Sequence, residues 1–248
     1  MKYYAGLDVS LKEISICVID QGGRIVASGS ARERLIRLRM DLEGHIRGAL
    51  KTFGIRMTSV SQGRQRQAFR DQLAAAGETD PVLRAIADGF VVAHATLSQA
   101  AADLDAAVKT KTRDHPGARG LMTVPGVGPV VSLSFVALID DPARFIKASD
   151  VGAVLGLTPK RHQSGEVDWS GRASKCGDRA MRRLLFDATS SVIHRVQRFS
   201  SPKSWAVRLA AGRGFRKAAV ATARKLAVLM LTIWKNGTDY QWAKEAAA

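Results

Sequence analysis

The chain has 248 residues, and its 38 Lys and Arg outnumber 22 Asp and Glu, for a formal charge of +16. Hydrophobic residues make up 46% and charged residues 24%, ordinary globular usage that excludes wholesale disorder. Two cysteines, Cys17 and Cys176, exclude a disulfide scaffold, and neither has the CxxC neighbour of a cysteine-based zinc site.

The length allows one or two domains. The charge points to polyanionic partners, with nucleic acid first and an anionic membrane second. The N-terminus, Met1-Lys2-Tyr3-Tyr4-Ala5-Gly6-Leu7-Asp8, lacks the apolar core of a signal peptide, so a cytoplasmic protein is expected.

Residues 2–9 and 14–20 alternate at a strand-like period. Gln21-Gly22-Gly23 marks a turn, and Arg24 to Ser28 forms a third strand. The product is a small meander with Asp8 at the end of its first strand. A carboxylate there is where a two-metal nuclease site can start, but several more carboxylates must converge on it.

From Arg32 to Phe53 the pattern is helical, with Leu35, Leu38, Leu42, Ile46 and Ala49 or Leu50 on one stripe. A shorter helix is expected over 64–76. A long one follows from about Asp80 to Thr112, striped by Leu83, Ile86, Phe90, His94, Leu97, Ala101, Leu104 and Val108. This heptad-like spacing predicts a helical hairpin or antiparallel coiled coil. Two readings stand for it: intramolecular packing, or an arm for dimerisation. His94 has no partner at metal-ligand spacing and fits a satisfied core histidine.

His115-Pro116-Gly117 marks the next boundary. The uncharged run Leu121 to Ile139 is interrupted by Pro125-Gly126-Val127-Gly128-Pro129, which predicts a turn followed by a buried helix rather than a membrane span. That turn resembles the hairpin of helix-hairpin-helix DNA-binding elements, where Gly126 and Gly128 would let backbone N–H groups approach a phosphate. Its plainer reading is a helix–helix turn.

Helix is expected over 148–155, and an irregular polar stretch with a possible hairpin over 156–175. Asp178 is a natural N-cap for a helix carrying Met181, Leu184, Leu185, Ala188, Val192 and Val196 on one face. Helices over about 202–211 and 215–236 complete the chain. The fold class is α+β, mostly α, in three parts: 1–30, 31–115 and 116–248.

Between Lys160 and Lys225 there are 16 basic and four acidic residues, and between Arg32 and Arg70 ten basic and three acidic. Clustered cations release counterions from nucleic acid and give salt-dependent affinity. The expected contacts are Lys160, Arg161, Arg172, Lys175, Arg179, Arg182 and Arg183. Ser164, beside Gly165 and among these cations, has no acyl-transfer signature around it. Its surroundings suit a hydroxyl attacking a phosphoryl group, or an ordinary turn. Trp169 could stack on a base or pack locally.

Five motifs occur in order: Leu121 to Pro129, Asp140-Asp141-Pro142-Ala143-Arg144-Phe145, Gly156-Leu157-Thr158-Pro159, Gln163-Ser164-Gly165-Glu166 and Ser174-Lys175-Cys176-Gly177-Asp178. Together they resemble the C-terminal domain of the IS110/IS1111-type insertion-sequence transposases, relatives of the Piv DNA invertases. Gly6-Leu7-Asp8-Val9-Ser10 resembles the same family's N-terminus, and Asp41 to Gly48 its helical linker.

The resemblance implies an RNase H-like domain with a magnesium-binding DEDD tetrad. It also implies a coiled-coil segment for dimerisation, and a C-terminal domain with a nucleophilic serine. Such enzymes cleave and transfer DNA strands under a structured bridge RNA. By position Asp8 is the first tetrad residue and Ser164 the serine, which would attack a phosphodiester to form a phosphoserine link. After Ser28-Gly29-Ser30 the pattern passes directly to the linker, and residues 31–80 hold no match for the other three carboxylates. The expectation is therefore a transposase shortened within its RNase H-like domain. The rival to an active recombinase is a module that dimerises and holds nucleic acid without cleaving it.

Overall fold

The computed structural model describes residues 4–9, 14–19, 25–60, 63–78, 80–164 and 167–242, with side chains in strand segments before residue 31 outside that description. The described residues are mostly helical, as the composition and periodicity predict. No helix among them is long and apolar enough to cross a membrane. The chain divides into two compact units, residues 1–27 with 108–248, and residues 28–107. The long helix ends at Asp114, beside the expected boundary at 115, and its last turn falls in the unit that contains 108–248. Its last turn is tied down by Thr112, whose hydroxyl donates to the carbonyl of Val108 and reaches that of Pro129 at 3.3 Å.

Three strands, β1 (Tyr4–Val9), β2 (Ile14–Ile19) and β3 (Ile25–Ser28), form a sheet in the order β1-β2-β3. β1 and β2 pair antiparallel with Asp8 opposite Ser15. The expected meander is present as backbone. The Asp8 side chain, and with it the expected metal site, lies outside the described residues.

The 28–107 unit is built from α1 (Gly29–Thr52), α2 (Gln65–Ala76) and most of α3 (Pro81–Asp114). Asp80 starts α3 by accepting from Val82 N and Leu83 N, with Pro81 supplying a pre-set φ at the first helical position. α1 and α3 run antiparallel: Arg32 pairs with Asp105, Glu43 with His94, and the His45 ring meets Phe90 edge-on. α2 packs across them through Phe69 and Leu73, both fully buried.

The stripe of α1 is rotated from the expected one. Leu38 is 41% exposed, whereas Arg39 and Glu43 are buried. The cause is a polar chain inside the unit. Arg39 donates to Glu43 at 3.2 Å, His94 Nε2 lies 2.9 Å from the same carboxylate, and Arg70 Nη1 lies 3.4 Å from His94 Nδ1. A buried carboxylate needs such partners, and one guanidinium with an imidazole supplies them. His94 is thus a satisfied core histidine. Ile86, expected on the α3 stripe, is 40% exposed, and Ala87 is buried beside it.

The other unit is centred on α9 (Phe215–Asn236), which contacts α4 (Pro116–Leu121), α6 (Val151–Val154), α7 (Arg179–His194) and α8 (Ser201–Arg213). α5 (Pro129–Ile139) packs against α4 and α7. Leu121, Phe135, Leu155, Met181, Leu185, Leu226 and Met230 are at most 1% exposed in one shared core. The Pro125–Pro129 turn joins α4 to the buried α5, as expected. Gly126 has φ +77°, and a Cβ there would lie 2.6 Å from the Ala188 carbonyl oxygen of α7. Close approach to a neighbouring helix thus accounts for a glycine at this position. Gly128 caps α5, and a Cβ there would meet nothing within 4 Å.

Candidate nucleic-acid interface

Two of the sequence motifs meet face to face. The segment 174–178 lies along 154–158, with Ser174 N donating to Thr158 O at 2.8 Å and Lys175 N to Gly156 O at 3.0 Å. Backbone approaches backbone so closely that only glycine fits at two points. A Cβ on Gly156 (φ +63°) would come within 3.0 Å of the Cys176 backbone, and one on Gly177 (φ +114°) within 3.0 Å of the Val154 carbonyl oxygen. Lys175 itself adopts φ +57°, an uncommon conformation for a residue with a side chain, held by its own N–H bond.

This clasp fixes the base of one hairpin and the start of one helix. One is the antiparallel hairpin β4 (Pro159–Ser164) and β5 (Val167–Ala173), with Ser164 opposite Val167 at its tip and an irregularity between Pro159 and Arg161. The other is α7, capped by Asp178, whose buried carboxylate accepts from Met181 N. Asp178→Ala should cost about 1–2 kcal/mol of stability in denaturant unfolding, the ordinary worth of such a cap.

Lys160 and Arg172 on the hairpin, Lys175 in the clasp, and Arg179 and Arg183 on α7 are all exposed. Arg161 is exposed as well, but its guanidinium grips Asp168 through two bonds, Nε to Oδ1 at 2.9 Å and Nη2 to Oδ2 at 2.6 Å. The pairing raises the pKa of Arg161 and lowers that of Asp168 through their shared hydrogen bonds. Sequence reading passed over Asp168. The signal was available: across a short hairpin turn, Arg161 and Asp168 fall at diagonal positions on one face.

Arg182 differs from its neighbours. It is half-buried and donates to Gly177 O at 2.7 Å and Leu155 O at 3.3 Å. Burial, above all, lowers its pKa, with the Asp178 charge opposing. Its guanidinium is spent at least in part on holding the clasp, unlike those of Lys160 and Arg172 on the hairpin.

Ser164 is exposed at the hairpin tip. Trp169 is 52% exposed, and its ring lies over Gly171, where a Cβ would come within 3.2 Å of it. Cys176 is exposed and its thiol reaches Ser174 O at 3.6 Å. The magnesium implied by the resemblance would need several oxygen donors in one place. Among the described residues no three His, Cys, Asp or Glu side chains gather to hold a metal ion.

Residues 118–204, which include the clasp and the hairpin, match the model of the Transposase IS116/IS110/IS902 family. Relatives match over most of the chain. The y4pF/y4sB protein of Sinorhizobium fredii, named for a transposase, is 28% identical over 96% of this chain and 61% of its own length. The transposase for insertion sequence element IS1111A of Coxiella burnetii is 26% identical over 85% of this chain and 58% of its own. The transposase for insertion sequence element IS1328 of Yersinia enterocolitica is 24% identical over 84% and 62%. The chain thus spans about three fifths of the length of the curated relatives it matches.

Proposed function

We propose, from the match of residues 118–204 to the IS116/IS110/IS902 transposase family model, that the chain is the strand-gripping part of an insertion-sequence transposase of that family. It holds DNA by the phosphodiester backbone on the face formed by the β4–β5 hairpin and the start of α7, and it does so without cutting. One observation carries this reading: Lys160, Arg172, Arg179 and Arg183 are exposed on two elements pinned to a single glycine clasp, and Lys175 is exposed on the clasp itself. Fixed cations pay little ordering entropy on binding, and each phosphate they neutralise releases a counterion. The bridge RNA and self-association through the helical unit belong to the same proposal, on the strength of the family alone.

A second reading, strand transfer, is favoured by the exposed place of Ser164 at the hairpin tip. There Ser164 Oγ would form a bond to phosphorus as the P–O bond to a deoxyribose breaks. The departing sugar oxygen takes the proton that the serine releases. A denaturing gel of the chain with magnesium, RNA and element-end DNA separates the two. No protein–DNA adduct with retained binding supports gripping alone, whereas an adduct abolished by Ser164→Ala supports transfer.

The gripping face also contains its own brake. Asp168 neutralises Arg161, so Asp168→Asn should raise DNA affinity several-fold at low salt, with the gain fading as salt is raised. Fluorescence anisotropy against salt checks it.

A further inference from the structure

The 28–107 unit carries a second concentration of cations that no motif accounts for. A groove of about 800 Å³ runs between the first turns of α2 and the middle of α3. Arg64, Arg66 and Arg70 line one side, and Thr96, Ser98 and Gln99 the other, with no acidic residue among the lining. Two polar atoms in that lining, Arg66 Nε and Ser98 Oγ, are buried and have no hydrogen-bond partner among the described residues. Buried polar atoms are ordinarily paired, so two orphans lining one groove call for an external ligand.

The charge balance calls for the same thing. The buried carboxylate nearby, Glu43, is already taken by Arg39 and His94. Arg39 is held below its ordinary pKa range first by burial and then by the charge of Arg66. Arg66 thus lies near enough to Arg39 for the two positive charges to repel. Arg70 is steadied by Gln67 and by His94 Nδ1 at 3.4 Å, so part of the groove wall is set before any ligand arrives.

We infer that this groove is a second nucleic-acid contact, separate from the hairpin face, which seats the phosphodiester backbone of a strand on Arg64, Arg66 and Arg70 with Ser98 as an added donor. Guanidinium forks match phosphate oxygens in pairs. Three of them beside hydroxyl and amide groups suit a ligand that repeats its anionic oxygens, which a single carboxylate does not. A chain at +16 selects a long polyanion over a small one. The inference rests on the reading of the chain as a nucleic-acid binder, yet it concerns different residues and fails separately.

The test uses the full chain and fluorescein-labelled oligonucleotides, as DNA and RNA, each single-stranded and duplex, with anisotropy followed across salt. Arg66→Gln with Arg70→Gln should weaken at least one of the four probes by roughly tenfold or more. The salt slope should fall by about one to two, the loss expected for two phosphates. Thr96→Glu, at an exposed position lining the groove, should weaken the same probe while leaving α2 untouched, which covers the case in which the arginine variant unfolds. The probe that responds identifies the strand. Unchanged affinity and slope for all four probes with Thr96→Glu, while Lys160→Gln with Arg172→Gln weakens them, overturns the groove and leaves the hairpin face standing. The opposite pattern overturns the hairpin face and leaves the groove.

Discussion

Gly177→Ala should unfold the clasp that supports the hairpin and α7, at a cost of about 4 kcal/mol or more. Two terms add at this position. The backbone sits at φ +114°, a region open essentially to glycine, which costs an alanine roughly 1–3 kcal/mol. The new methyl group would also come within 3.0 Å of the Val154 carbonyl oxygen, an atom of the backbone rather than the end of a flexible side chain. Nothing there can swing aside, so the 154–158 segment of the clasp must separate from 174–178, with the loss of bonds such as Ser174 N to Thr158 O.

Gly156→Ala should behave alike, since its methyl would collide with the Cys176 backbone. Gly212→Ala is the matched control: it lies within α8 with open space around it, and should stabilise by about 0.5–1 kcal/mol. The readout is selective, because Trp169, Trp205, Trp234 and Trp242 all belong to the unit containing 108–248. Their fluorescence in denaturant follows that unit and not the helical one. A loss under about 1 kcal/mol for Gly177→Ala would remove the clasp from the account of the site.

What could be read from the sequence follows a physical line between local and distant causes. The α7 stripe of Met181, Leu185, Ala188 and Val192 and its Asp178 cap are local, set by period and by the chemistry of one N-terminus, and both are present. So are the break at Pro129 and the start of α9 at Phe215, which fall where expected, whereas the boundary at Pro116 opens a short helix, α4, that was not foreseen. Arg39 and Glu43 were not legible as buried, because their burial depends on His94 and Arg70, tens of residues away. Arg182 looked like its neighbours Arg179 and Arg183 until a carbonyl 27 residues off claimed it. Gly126 carried a correct signal for close approach, but the sequence could not say to what. The groove on α2 was visible only as a surplus of arginines. Ser98, an unremarkable serine within α3, gained meaning from its missing partner.

Removing Lys160, Arg172 and Lys175 together, each to Gln, should weaken DNA binding by roughly a hundredfold near 0.1 M salt and cut the salt slope by about 2–3. Each phosphate contact contributes close to 0.9 to that slope on duplex DNA, so three lost contacts fix both figures at once. These three are the right choice because they are exposed and none is needed to hold the fold by its side chain. Arg161 is left in place, since Asp168 holds it, and Arg182 is left because its loss would loosen the clasp. The competing explanation is bulk charge: a chain at +16 attracts DNA wherever its cations lie. Removing the exposed Lys109, Arg144 and Lys147 instead takes away the same charge far from the hairpin in sequence. If bulk charge governs binding, the two triple variants lose affinity equally. If the hairpin face is the contact, the second variant keeps a slope within about one of the unaltered chain. A fixed cationic face answers to which charges are removed, whereas a diffuse one answers only to how many.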